Sequence, residues 1–158
     1  MKRFNIIIPA LMVLMAGLAI GVWFYYAPPD LALIGQQAFA VRLHLGAALM
    51  ALGLGTILLM APKGILPHRL MGWVWVALML VTAVSSFYIR EINSGGLSLI
   101  HALSGWTTIA APMLVWFARC KRVGRHRLSA YCLYFGGLVV AGLFTFVPGR
   151  LMWQVVFG

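Results

Sequence analysis

Apolar residues run along this chain in long unbroken blocks, separated by short segments that hold nearly all the charge. Five blocks, roughly 5–26, 38–60, 69–89, 97–118 and 128–147, reach the length of about 20 mostly apolar residues that a helix needs to cross hydrocarbon. The blocks are continuous rather than alternating, and too long for barrel strands, so they predict helices. The first follows Met1-Lys2-Arg3 as a secretory signal would. It is longer than a signal core and ends in Trp23-Phe24-Tyr25-Tyr26 rather than a small-x-small cleavage site, which predicts a retained span. The segment Arg150–Gly158, with Leu151, Trp153, Val155, Val156 and Phe157, is too short to cross and is expected along an interface. The expected architecture is all-α: an integral membrane protein with five transmembrane helices, the last four forming a pseudo-repeat four-helix bundle. It forms a single membrane domain over 1–158, with a first span at 1–27, repeat halves at 38–90 and 97–148, and an interfacial tail at 150–158.

Composition agrees, with 63% hydrophobic and 9% charged residues. The net charge of +10 does not point to nucleic acid, because the basic residues occupy short loops rather than a helix face or an arm. Topogenesis and contact with anionic membrane lipid account for them. Assigning alternate loops to opposite sides puts Lys2, Arg3, Lys63, Arg69, Arg119, Lys121, Arg122, Arg125 and Arg127 together, against Arg42, Arg90 and Arg150. The excess places the amino terminus and the loops before the third and fifth spans in the cytoplasm, and the carboxyl terminus outside, periplasmic or extracellular.

The four histidines fall into two halves of matching spacing, His44 to His68 and His101 to His126, gaps of 24 and 25 residues. The sequence repeats around the later member of each half, as Lys63-x4-His68-Arg69-Leu70-x2-Trp73 and Lys121-x4-His126-Arg127-Leu128-x2-Tyr131. His44 and His101 are expected a few residues into the second and fourth spans from their outer ends, and His68 and His126 at the inner starts of the third and fifth. From His44, positions three, four, seven and eleven on are Ala47, Ala48, Ala51 and Gly55; from His101 they are Ser104, Gly105, Thr108 and Pro112. Such small stripes allow close helix contact, or leave room for a flat ligand. Pro112 adds a kink to the fourth span.

Neutral imidazole binds haem iron, zinc and copper, so all four histidines are candidate metal ligands. A b-type haem needs one imidazole on each face, from helices about a macrocycle apart. His44 with His101 supplies one pair and His68 with His126 another, in layers about 24 Å apart at 1.5 Å per helical residue. Arg42, Arg90 and Arg150 on one side, and Arg69, Arg125 and Arg127 on the other, are placed to pair with propionates. The outer pair is the better candidate site. The His-Arg pairs at 68–69 and 126–127 have an alternative reading as basic boundaries that meet lipid phosphate.

The remaining chemistry is sparse. The two carboxylates, Asp30 and Glu91, lie in predicted loops, Asp30 as a turn acid or helix cap. That removes paired-carboxylate hydrolysis and weakens a transporter built on intramembrane acids. Cys120 and Cys132 have no CxxC spacing and predict neither disulfide nor zinc site. Ser85, Ser86, Ser104, Thr107 and Thr108 offer hydroxyls without a triad, GxSxG or HExxH. Trp73, Trp75, Trp106, Trp116, Tyr25, Tyr26 and Tyr88 fit an aromatic belt at the span ends.

Pro67-His68-Arg69-Leu70-x-Gly72, the intramembrane histidine of Ser98-Leu99-Ile100-His101, His126-Arg127 and Pro148-Gly149-Arg150 resemble a bacterial multi-pass membrane family, domain of unknown function 2306 (DUF2306), over about residues 40–152. That resemblance implies a bacterial inner membrane but no activity. A looser likeness is to the two-haem cytochrome b561 architecture, in which alternate helices of a four-helix core supply two histidine pairs. It implies one or two haem b groups on His44, His101, His68 and His126, electron transport across or within the membrane, and a quinone or redox protein as partner. No ascorbate or quinone signature accompanies it, and His68 and His126 lie shallower than buried ligands would. Two alternatives stay open: a non-catalytic membrane scaffold or assembly factor, and transition-metal handling by the outer pair.

Overall fold

The computed structural model describes residues 4–89 and 99–158, apart from the side chains of residues 4–13, 16 and 99. Among these residues the regular structure is entirely helical. Four helices are long and apolar enough to cross a membrane: Phe39–Met60, Leu66–Ser86, Ile100–Arg119 and Val123–Phe146. The 5–26 block forms α1 (Phe4–Tyr26). The predicted loop pair Arg90 and Glu91 lies outside the described residues.

The chain divides into two compact units, residues 1–34 with 146–158, and residues 35–145. In the first, α1 is followed by the single turn α2 (Ala32–Gly35), and the carboxyl-terminal segment forms α8 (Leu151–Phe157). Asp30 serves as a cap, its Oδ1 accepting the Ala32 N–H at 2.9 Å. The Asp30 N–H donates to the Val155 carbonyl at 2.8 Å. Trp23 and Trp153 both pack on Phe157, with ring centroids 5.8 and 4.6 Å from it. Gly149 turns the chain into α8 at a φ of 86° that a side chain would disfavour.

The second unit is the bundle. Here α3 (Phe39–Met60) packs on α4 (Leu66–Ser86), and α4 on α5 (Leu99–Arg119). Next, α5 packs on the last helix, which closes the ring against α3. That last helix is composite: α6 (Val123–Tyr131), a π-helical segment (Cys132–Val140) and the short α7 (Ala141–Leu143). Alternate helices therefore stand diagonally opposite, α3 to α5 and α4 to α6.

Two starts differ from the hydropathy blocks. Helix α4 begins at Leu66 rather than 69, and α6 at Val123 rather than 128. Pro67 in the first turn of α4 lacks only an N–H that this turn leaves unused, so it starts the helix well. The polar first turn of α6, Val123-Gly124-Arg125-His126-Arg127, is invisible to a hydropathy window. His68 and His126 consequently lie inside the first turns of their helices, not ahead of them.

The core comprises Ala51, Leu58, Trp75, Val76, Met79, Ala111, Leu114, Leu133, Tyr134 and Leu138. The α3 stripe is as expected, with Ala47, Ala51 and Gly55 buried. The α5 stripe is corrected. His101, Ser104, Thr107, Ala111, Leu114 and Phe117 are buried, whereas Thr108 is half-buried and Pro112 exposed. Buried positions advance on α5 mainly in steps of three, so the inward face drifts round the helix and leaves 108 and 112 at its margin. Nor does the small stripe leave an open slot at Gly55. A Cβ there would lie 2.7 Å from both Trp75 Nε1 and Tyr134 Cδ2, so two aromatic side chains fill the space.

The end of α5 is closed by paired backbone bonds. The Lys121 N–H donates to Ala118 at 3.1 Å and the Arg122 N–H to Phe117 at 2.9 Å, with Lys121 left-handed at φ 57°. Glycine ordinarily holds this place, because a side chain in that conformation costs about 1 kcal/mol. Lys121→Gly is therefore expected to raise the melting temperature in detergent by an amount equivalent to about 1 kcal/mol. Gly55→Ala should lower it by the equivalent of about 1–3 kcal/mol through overpacking. Gly53→Ala, whose added carbon meets nothing within 4 Å, should change it little.

Candidate functional site

Two polar layers lie at opposite ends of the bundle, separated by its apolar middle. The first contains His44 on α3 and His101 on α5. The His44 Nδ1–H donates to the Thr82 carbonyl of α4 at 2.9 Å, with Ser85 Oγ at 3.3 Å. A carbonyl oxygen only accepts, so Nδ1 carries the proton and a neutral ring keeps its lone pair on Nε2. Ser85 in turn donates to Val81 at 2.6 Å, leaving its oxygen free to accept. His101 is buried at 4% exposure, and its ring lies 6.0 Å from that of Phe87.

Hydroxyl groups surround this layer. Thr82, Ser85, Ser86, Ser104 and Thr107 are all buried. Ser104 Oγ donates to Ile100 at 3.0 Å and so receives the Ser86 hydroxyl at 2.6 Å, joining α4 to α5. In hydrocarbon an unpaired hydroxyl is costly, and Thr82, Ser85, Ser86 and Ser104 find partners within the bundle.

The second layer contains His68 on α4 and His126 on α6. The His126 Nδ1–H donates to the Leu114 carbonyl of α5 at 3.0 Å, again placing the lone pair on Nε2. His68 lies in the first turn of α4, at the same end of the bundle. Its Nδ1 is buried and has no hydrogen-bond partner among the described residues. His68 and His126 thus stand in the first turns of diagonal helices at one end of the bundle. The hydrogen bonds of His44 run to the neighbouring helix α4.

Two aromatics form the divider between the layers. The Trp75 indole N–H donates to the Ala51 carbonyl at 2.9 Å. Thr56 Oγ1 donates to Leu52 at 2.9 Å and accepts the Tyr134 hydroxyl at 2.6 Å. Trp75 therefore departs from the belt expected of it: it is 4% exposed, while Trp73, Trp106, Trp116, Tyr25, Tyr26 and Tyr88 are exposed. The π-helical segment buries the consecutive residues Leu133 and Tyr134 together with Leu138, which turns Tyr134 inward. Sequence reasoning missed Tyr134. The signal for it was the pair Ala51 and Gly55, whose small side chains imply bulky ones opposite.

Of the arginines expected near these layers, Arg42 is exposed in the first turn of α3, and Arg69 Nε donates to the Gly64 carbonyl at 3.1 Å. Arg127 is exposed on α6, and Arg150 belongs to the other unit. Cys120 and Cys132 are both free and exposed. Among the described residues no three of His, Cys, Asp and Glu gather as a metal-holding group.

The chain matches no protein-family model, no curated protein and no solved structure. Removing the interhelical hydroxyl pair tests the first layer. Ser86→Ala and Ser104→Ala should each lower the melting temperature, and a double-mutant cycle should give a coupling of about 0.6 kcal/mol, the usual worth of such a bond in a bundle.

Proposed function

We propose that this protein is a membrane b-type haem protein with bis-histidine ligation, carrying electrons within or across a bacterial inner membrane. His68 with His126 is the leading ligand pair, and His44 with His101 the second. The observation that carries the reading is the His68–His126 layer. Two imidazoles come from the first turns of diagonal helices at the same end of the bundle. One is oriented by a backbone carbonyl, and the other has a buried, unmatched Nδ1. An Nδ1–H held by a carbonyl fixes tautomer and ring orientation in a metal-ligating histidine, and His44 repeats the arrangement.

The donor set suits haem better than zinc. Zinc requires three or four protein ligands, and no such group exists among the described residues. Haem requires two axial ones. When bound, it supplies one-electron chemistry that no side chain here offers. The chain's own part is to hold the imidazoles, to separate the layers with Trp75 and Tyr134, and to offer Arg69 and Arg127 to propionates at one end and Arg42 at the other. The fifth span is α1, with the amino terminus cytoplasmic, the carboxyl terminus outside, and a quinone or redox protein as partner. The reading accords with the likeness to the two-haem cytochrome b561 arrangement.

The visible spectrum of detergent-purified protein, oxidised and then reduced, is the test. A Soret band with reduced α and β bands is expected, diminished in His68→Ala and His126→Ala. A flat spectrum in protein made with ample haem would overturn the reading in favour of a scaffold role.

A further inference from the structure

At the turn between α5 and α6, five cations occur within nine residues: Arg119, Lys121, Arg122, Arg125 and Arg127. All five are exposed. No Asp or Glu occurs between residues 31 and 90 or between 92 and 158. Among the described residues of the bundle, no carboxylate balances this charge.

Three of these arginines are held over aromatic rings. The Arg119 guanidinium carbon lies 5.7 Å from the centre of the Trp73 ring on α4, that of Arg122 5.3 Å from Trp116, and that of Arg125 6.0 Å from Phe117. A guanidinium lying over a ring has less rotamer freedom to lose, and its edge N–H groups remain available to a planar pair of oxygens. Trp73 and Trp116 are themselves half exposed, as side chains at headgroup level are. Lys121 adds a second kind of observation. It holds a left-handed position that glycine would fill without strain, so the turn keeps a charge at a cost to the backbone.

We propose that the α5–α6 turn is a binding site for the phosphate headgroup of an anionic phospholipid. The Trp73 and Trp116 rings lie beside the upper acyl chains, and Arg119, Arg122 and Arg125 present N–H forks to phosphate oxygens, with Lys121 at the apex. A zwitterionic headgroup fits less well, because its own ammonium meets five cations and no carboxylate. The site stands independently of haem on the histidines.

The test is lipid retention by the full chain in detergent, measured by native mass spectrometry with phosphatidylglycerol and phosphatidylcholine of identical acyl chains. The unaltered protein should retain phosphatidylglycerol preferentially. Arg119→Gln with Arg122→Gln should cut that preference at least about fivefold, the effect of one basic residue near a membrane surface. Lys121→Gly should weaken it while the melting temperature does not fall, which separates lipid binding from folding. Trp73→Leu with Trp116→Leu, with every charge intact, should also reduce it. Equal retention of the two lipids by the unaltered protein would overturn the site. So would undiminished preference in the arginine or tryptophan variants, or displacement of the lipid by millimolar inorganic phosphate.

Discussion

The bundle depends on the close approach at Gly55. Only hydrogen at that position lets the Trp75 indole and the Tyr134 ring reach the same point of α3. Each aromatic then spends its one polar group on that helix, Trp75 on the Ala51 carbonyl and Tyr134 on Thr56. Water is absent from the hydrocarbon region, so an indole N–H or a phenol in the middle of a membrane bundle needs such a partner. Three helices are tied at one level by groups that would otherwise oppose burial, and Leu58, Met79, Ala111, Leu133 and Leu138 pack around them.

This apolar waist explains why the polar chemistry lies at the two ends. Above it and below it, histidines are matched by carbonyls of neighbouring helices, His44 to Thr82 and His126 to Leu114, while the Ser86 hydroxyl is matched by that of Ser104. A carbonyl already engaged in a helix has a second lone pair to give, so these bonds cost no helical structure. The same bonds decide the tautomers of His44 and His126, which are the properties a metal ion would meet first. Under the proposed haem reading, the waist is also the medium between two redox layers.

Much of this was legible in the chain. Block lengths predict five crossing helices, of which the structure gives four as long and apolar enough to cross, and the repeat of His68-Arg69-Leu70 in His126-Arg127-Leu128 specifies that matching helices carry matching histidines. The inward face of α3 was readable because Ala47, Ala51 and Gly55 keep a regular helical step. On α5 the same reasoning misplaced Thr108 and Pro112, because a face that drifts with helix crossing is not recorded in an ideal period. Helix starts at Leu66 and Val123 were hidden for a different reason. Hydropathy measures the preference for lipid, whereas a first turn is decided by backbone geometry and reads as polar.

By itself, the sequence determined a helical membrane protein, the pairing of its histidines along the chain, and a concentration of charge without counter-charge at the α5–α6 turn. Each is a property of local composition or spacing, which no packing can alter. Tertiary structure alone decided that Trp75 is core rather than belt, that a π-helical segment turns Tyr134 inward, and that the His126 ring is held by the Leu114 carbonyl of the neighbouring helix. These depend on which residues of distant segments share the same few ångströms. That is set by the fit of small against large side chains and by which carbonyl is near enough to accept a proton.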